Sequence, residues 1–161
     1  MAELLIIYHS RTGGSRQMAE AAFAAAQAEG VARLVSAEVA DVDGLRQAAG
    51  YLFCAPENLA TLSGAMKEFF DRCYYPVLGQ LEGRPYAQMI CAGSDGEGAA
   101  RQLARIATGW RLKEVQPPLI ICTHAQTPEA ILAPKVLTAE QLEPCAELGA
   151  ALAAGLAMGM F

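Results

Sequence analysis

Three short segments hold side chains and backbone suited to chemistry. The first is His9-Ser10-Arg11-Thr12-Gly13-Gly14-Ser15-Arg16. It combines a glycine pair, which lets the backbone curl, with three hydroxyl side chains and the start of a helical pattern. Free N–H groups at a helix N-terminus converge on an anion, so this segment reads as a phosphate cradle. It lacks the lysine of GxxxxGK[ST] and is not GxGxxG, which excludes a Walker loop and the dinucleotide fingerprint. The second segment is Cys54-Ala55-Pro56-Glu57-Asn58-Leu59-Ala60-Thr61, running on through LSGAMKEFFDR to residue 72, and the third is AGSDGEGAARQL at 92–103.

These segments need strands and helices to bring them together. The apolar runs LLIIY (4–8), RLVSAEV (33–39), YLFCA (51–55), YAQMICA (86–92) and PLIICT (118–123) read as strands, and three of them are apolar enough to be covered on both faces. Between them the helical period recurs. It is Ala-rich at 16–29, short at 41–48, and carried by Met66, Phe69, Phe70 and Cys73 from Gly64. It returns at Ala100, Leu103, Ala104 and Ala107, and again from Leu142 to Leu156. Thr138 with Gln141 suits a capping box, and Pro144 is the rival first turn of that last helix. Five strands alternating with helices predict an α/β, doubly wound, five-stranded parallel sheet with helices on both faces and strand order 2-1-3-4-5. Ligands of such sheets lie at the carboxyl ends of the strands, where loops 9–16, 55–63 and 92–99 fall.

Composition narrows the class. The chain has 161 residues, 53% hydrophobic and 18% charged, with a net charge of −5. It is expected to fold as a single domain over 1–161, without nucleic acid or a membrane as partner. The charge-free tail from Gly149 is too short to span a bilayer, and MAELLIIYHS has no basic region, so no signal peptide is expected and a cytoplasmic location is. Five scattered cysteines without a CxxC pair, and only two histidines, predict reduced thiols rather than a disulfide framework or metal centre. Receiver domains need acidic residues where His9-Ser10 and Cys54-Ala55-Pro56 stand. Low-molecular-weight tyrosine phosphatases need a cysteine after the first strand, and none is there.

The loop SRTGGS resembles the phosphate loop of the flavodoxin-like FMN proteins, of pattern S/T-x-T-G-x-S/T. CAPENLATLSGAMKEFFDR is similar to the segment after the third strand in NAD(P)H-dependent FMN reductases and their quinone-reductase-like relatives. AGSDGEGAARQL resembles the loop after their fourth strand. The resemblance spans residues 4–108 and implies a flavodoxin-like fold and an FMN flavoprotein. It implies that Ser10, Arg11, Thr12, Gly13, Gly14 and Ser15 hold the phosphate. Pro56, Glu57, Asn58, Leu59, Ala60 and Thr61 would run along the flavin ring, and Gly93, Ser94, Asp95 and Gly96 would close its other side. Where many relatives carry an aromatic, this chain has Asn58 and Leu59, so one flavin face is expected to be open. Tyr74, Tyr75 and Trp110 are candidates for covering it, although packing is the commoner role of such side chains.

The implied activity is an oxidoreductase passing electrons from NAD(P)H through FMN to a small acceptor such as a quinone, azo compound or flavin, with no side chain acting as nucleophile or base. The alternative is a flavodoxin-type electron carrier, which mild acidity and missing aromatics disfavour. A homodimer is expected to complete the open face. His9, His124, Cys54 and Cys91 are read as structural, and Lys67, Glu68, Asp71 and Arg72 as a charged helix surface.

Overall fold

The computed structural model describes residues 1–161. Strands β1 (Glu3–Tyr8), β2 (Val31–Ser36), β3 (Gly50–Asn58) and β5 (Pro85–Ala92) form the parallel sheet, in order β2-β1-β3-β5. The edge position beyond β5 is shared by two short pieces, β6 (Lys113–Glu114) and β7 (Leu119–Cys122), both parallel to it. The predicted fifth strand is therefore one interrupted edge, and the five-layer order agrees with expectation. Its interruption falls at Pro117 and Pro118, which have no N–H to donate to the ladder.

A further strand, β4 (Thr61–Leu62), folds back antiparallel on the end of β3, pairing Glu57 with Leu62 and Asn58 with Thr61. This hairpin was not apparent from the sequence, because its two-residue tip is Leu59-Ala60 rather than a glycine-bearing pair. Both tip residues have positive φ, 52° and 67°, as a type I′ turn requires.

Helices α1 (Gly14–Glu29) and α6 (Ala139–Ala157) cover one face of the sheet. The other is covered by α2 (Val42–Gln47), α3 (Gly64–Cys73) and α4 (Glu97–Gly109). Alanine is the reason α1 and α6 approach closely: Ala19, Ala22 and Ala26 are fully buried, and a Cβ placed on Gly149 would lie 2.1 Å from the Ala22 carbonyl oxygen. The opposite face is aromatic. Phe70 lies 5.3 Å from Phe53, 5.0 Å from Phe69 and 5.6 Å from Trp110, and each fully buried ring contributes about 1.5–3 kcal/mol. Tyr74 stacks on Trp110, whose indole N–H donates to the Tyr74 carbonyl, so both are committed to packing, and Tyr75 is exposed.

The rivalry at α6 resolves in favour of Thr138. Its hydroxyl accepts from Gln141 N–H while the Gln141 side chain accepts from Thr138 N–H, and Pro144 lies inside the helix. No helix is long and apolar enough to cross a membrane. A short helix that the sequence pattern did not signal, α5 (Pro128–Leu132), lies between β7 and α6.

Candidate active site

The β1, β3, β5 and β7 carboxyl ends open into a cavity of about 440 Å³. Its walls hold Ser10, Arg11, Thr12, Gly14 and Ser15 from the first loop, Pro56 to Ala60 from the hairpin, and Gly93 and Ser94 from the third loop. Three loops distant in sequence thus meet at one place, where the parallel sheet changes winding direction.

In the first loop, Gly13 N–H donates to Ser10 Oγ at 3.0 Å, closing the turn that feeds α1. Gly13, at φ 100°, takes the helix N-cap position without a capping side chain, and the first turn of α1 has no acidic residue. The leading N–H groups of α1 therefore remain for an anion. Gly14 must lack a side chain, since its Cβ would meet Cys91 Sγ at 2.5 Å.

The second and third loops are tied together by one carboxylate. Glu57 accepts Gly96 N–H at 2.9 Å and Ala99 N–H at 3.0 Å, capping an α4 whose own N-cap, Gly96, has no side chain to do so. Contact there is tight: a Cβ on Gly98 would lie 2.2 Å from the Ala60 carbonyl oxygen.

Four of the sequence-predicted positions do not line this cavity. Gly13 faces an adjoining cavity of about 390 Å³ shared with His9, Arg16 and Glu38. Thr61 lies past the hairpin tip, where its hydroxyl donates to main-chain oxygens of Asn58 and Leu62. Asp95 is exposed and does not line it, and Gly96 is buried behind the wall: its N–H is held by Glu57, and a Cβ there would strike the Ile120 side chain at 2.5 Å. Tyr74, Tyr75 and Trp110 are also absent from the lining, and the uncovered side is aliphatic, with Leu59 98%, Ile131 50% and Leu132 71% exposed.

Sequence reasoning missed the fourth wall, Thr123, Ala125 and Gln126 with Ile131, Leu132 and Lys135. The available signal was topological, because the loop after the last strand must emerge at the same edge as the other three. Lys135 is also the only Lys or Arg after Lys113.

Cys91, the thiol on the cavity wall, is not activated. Burial pushes the Cys91 thiol up to about 11, against a weaker opposing pull from Lys135, so the thiol stays neutral at pH 7. Burial lowers the pKa of His9 below 6.5, with Glu38 opposing and Arg11 reinforcing the shift, and its Nδ1 lies 2.7 Å from Ser63 Oγ. His124, at φ 60°, anchors its loop by N–H donation to the Gly93 carbonyl.

Two cavity residues carry buried polar atoms with no partner in the protein, Ser15 Oγ and Asn58 Nδ2. Such atoms are costly unless a ligand satisfies them. A hydroxyl beside free helix N–H groups suits phosphate oxygens, and an amide donor against an apolar wall suits the carbonyl edge of a planar heterocycle. These residues fit FMN.

The comparisons point the same way. The family description NADPH-dependent FMN reductase matches residues 38–126. A flavodoxin of Aquifex aeolicus (strain VF5) is 35% identical over 108 residues, which are 65% of this chain and 56% of that protein, so the match spans little more than half the relative's length. Among solved structures, a WrbA-like flavodoxin from Agrobacterium tumefaciens superposes with TM-score 0.78 at 18% identity, covering 98% of this chain and 99% of that one. Flavodoxin 1 from Bacillus cereus gives TM-score 0.75 at 19% identity, covering 94% and 97%. Those two likenesses establish the flavodoxin-like fold, and with the family match over more than half its length, the chain belongs to the NADPH-dependent FMN reductase family of FMN-binding, flavodoxin-like oxidoreductases.

Proposed function

We propose that the chain is an FMN-dependent oxidoreductase that takes electrons from NAD(P)H and delivers them to a small acceptor such as a quinone, azo compound or flavin. The observation that carries this reading is the absence of any aromatic side chain from the cavity, whose open side is bordered by Leu59, Ile131 and Leu132. A planar nicotinamide or acceptor can approach such a side in turn.

FMN supplies the redox chemistry when bound, accepting hydride and releasing electrons singly or in pairs. The protein's part is placement. Thr12, Ser15 and the α1 N-terminus hold the phosphate end, while Asn58 Nδ2 and the Gly93-Ser94 main chain orient the ring edge. Leu59, Ile131 and Leu132 give the open side an apolar border without fixing the shape of what docks there. No side chain need move a proton, in keeping with the neutral Cys91 and the structural engagement of His9.

Anaerobic mixing of FMN-loaded protein with NADH and then NADPH, following flavin absorbance, tests the proposal. Rapid bleaching by either is the expected result. Flavin that bleaches only with dithionite would favour the second reading, a protein-to-protein electron carrier, which the likeness to the Aquifex flavodoxin supports. We further propose a homodimer, for which exposed Tyr75 and Leu78 offer apolar surface; gel filtration as a monomer at all concentrations would refute it.

A further inference from the structure

The FMN phosphate is close to a dianion at pH 7, its second pKa being about 6. Within the predicted cradle the only cations are Arg11 and Arg16, both exposed, and Arg16 is paired with Glu20.

A third cation arrives from 123 positions downstream. Lys135 lines the cavity half-buried, and its Nζ donates to Thr12 Oγ1 at 3.3 Å, the Ile131 carbonyl at 2.8 Å and the Ala133 carbonyl at 2.7 Å. All three acceptors are uncharged. The ion pairs of the chain all involve other residues, so this charge has no carboxylate to neutralise it.

Its position is fixed by main-chain bonds rather than by a flexible surface loop. Lys135 N–H donates to the Thr12 carbonyl at 2.7 Å. Gln17, on the first turn of α1, donates to the Lys135 and Gly13 carbonyls at 2.7 and 2.8 Å and accepts Leu137 N–H at 3.0 Å. The 135–137 segment is thereby clamped to the phosphate loop itself.

The bond to Thr12 also matters chemically. An ammonium donating into a lone pair of Thr12 Oγ1 leaves the hydroxyl hydrogen free to point outward and makes it a stronger donor. Nearby, Ser15 Oγ is buried and unpartnered.

We infer that Lys135 is a phosphate-binding residue, the cation that lets this cradle select phosphorylated flavin over riboflavin. The inference rests on the FMN reading above and adds a residue outside the recognised loops. The expected consequence is that FMN affinity falls with salt, whereas riboflavin affinity does not.

Flavin fluorescence titrations of wild type, Lys135→Met and Lys135→Arg with FMN and with riboflavin provide the test, alongside thermal denaturation of the flavin-free proteins with and without inorganic phosphate. Lys135→Met should weaken FMN roughly 10- to 100-fold, through loss of the unneutralised charge beside the phosphate and of its polarisation of the Thr12 hydroxyl, and leave riboflavin within about twofold. Lys135→Arg, which keeps the charge, should retain most of the affinity, and phosphate should raise the melting temperature of wild type but not of Lys135→Met.

Equal weakening of both flavins would overturn the inference by making Lys135 a wall residue only, as would unchanged FMN affinity in Lys135→Met or salt-independent FMN binding by wild type. A wild type that binds neither flavin would overturn the FMN reading and this inference with it. FMN binding that ignores Lys135 would overturn this inference alone.

Discussion

Replacing Glu57 by Gln should destabilise the protein by about 2 kcal/mol. The carboxylate accepts two α4 N–H groups, at 2.9 and 3.0 Å. A hydrogen bond to a charged group contributes about 1.5–3 kcal/mol, and a negative charge at a helix N-terminus adds about 0.3–1 kcal/mol. Gln keeps one acceptor oxygen but turns an NH₂ donor toward the other N–H, so one bond and the charge are lost together. Partial exposure of Glu57 lets water recover part of that loss, which places the cost near the lower end. For a chain of this length, about 2 kcal/mol corresponds to a melting temperature lowered by about 4–8 °C. Urea denaturation of the flavin-free protein would measure it, and hydrogen exchange would show whether the Gly96 and Ala99 amides lose protection. A variant within about 0.5 kcal/mol of wild type, with those amides still protected, would refute the capping argument.

Thr12→Ala should weaken FMN by about 1–3 kcal/mol through loss of a charge-assisted bond, and unchanged affinity by titration would count against the cradle. Replacing Leu59-Ala60 with Asn-Gly should stabilise the fold by about 1 kcal/mol by relieving two residues at positive φ, read as a higher urea midpoint at constant slope. Gly149→Ala should cost about 3 kcal/mol or more, since its Cβ would meet the Ala22 carbonyl oxygen at 2.1 Å, and a near-neutral urea midpoint would contradict the backbone contact. The His9 imidazole should titrate below 6.5 by NMR. Its folded pKa lies below the unfolded one, so its contribution is fully present above pH 6.5 and is lost as pH falls through the folded midpoint; a midpoint above 6.5 would refute the burial argument.

The sheet order and the five helices that cover the sheet were legible because strand and helix periods alternate cleanly, and the carboxyl-edge rule then located three of the four cavity walls. What escaped notice has specific physical causes. The hairpin was hidden because Leu59-Ala60 adopts a conformation that intrinsic preference assigns to Asn-Gly. The interrupted edge was hidden because Lys113-Glu114 is too short and polar to read as a strand. Lys135 was hidden because its link to Thr12 spans almost the whole chain and belongs to no local pattern. Gly96 has loop-like composition, and only packing against β7 and capture by Glu57 turn it away from the cavity.

The hairpin tip has a bearing on how such a protein diversifies. With its side chain 98% exposed, Leu59 contributes almost nothing to the core, yet it borders the open side of the cavity, where the proposed acceptor would enter. The proposed phosphate anchor sits at the start of α1, whose backbone is wedged against α6, so it tolerates little alteration. Under the proposed function, selection can therefore act on one position with few pleiotropic consequences, changing acceptor preference at residue 59 while the proposed cofactor mount is inherited intact. A library randomised there would sample specificity largely apart from foldedness.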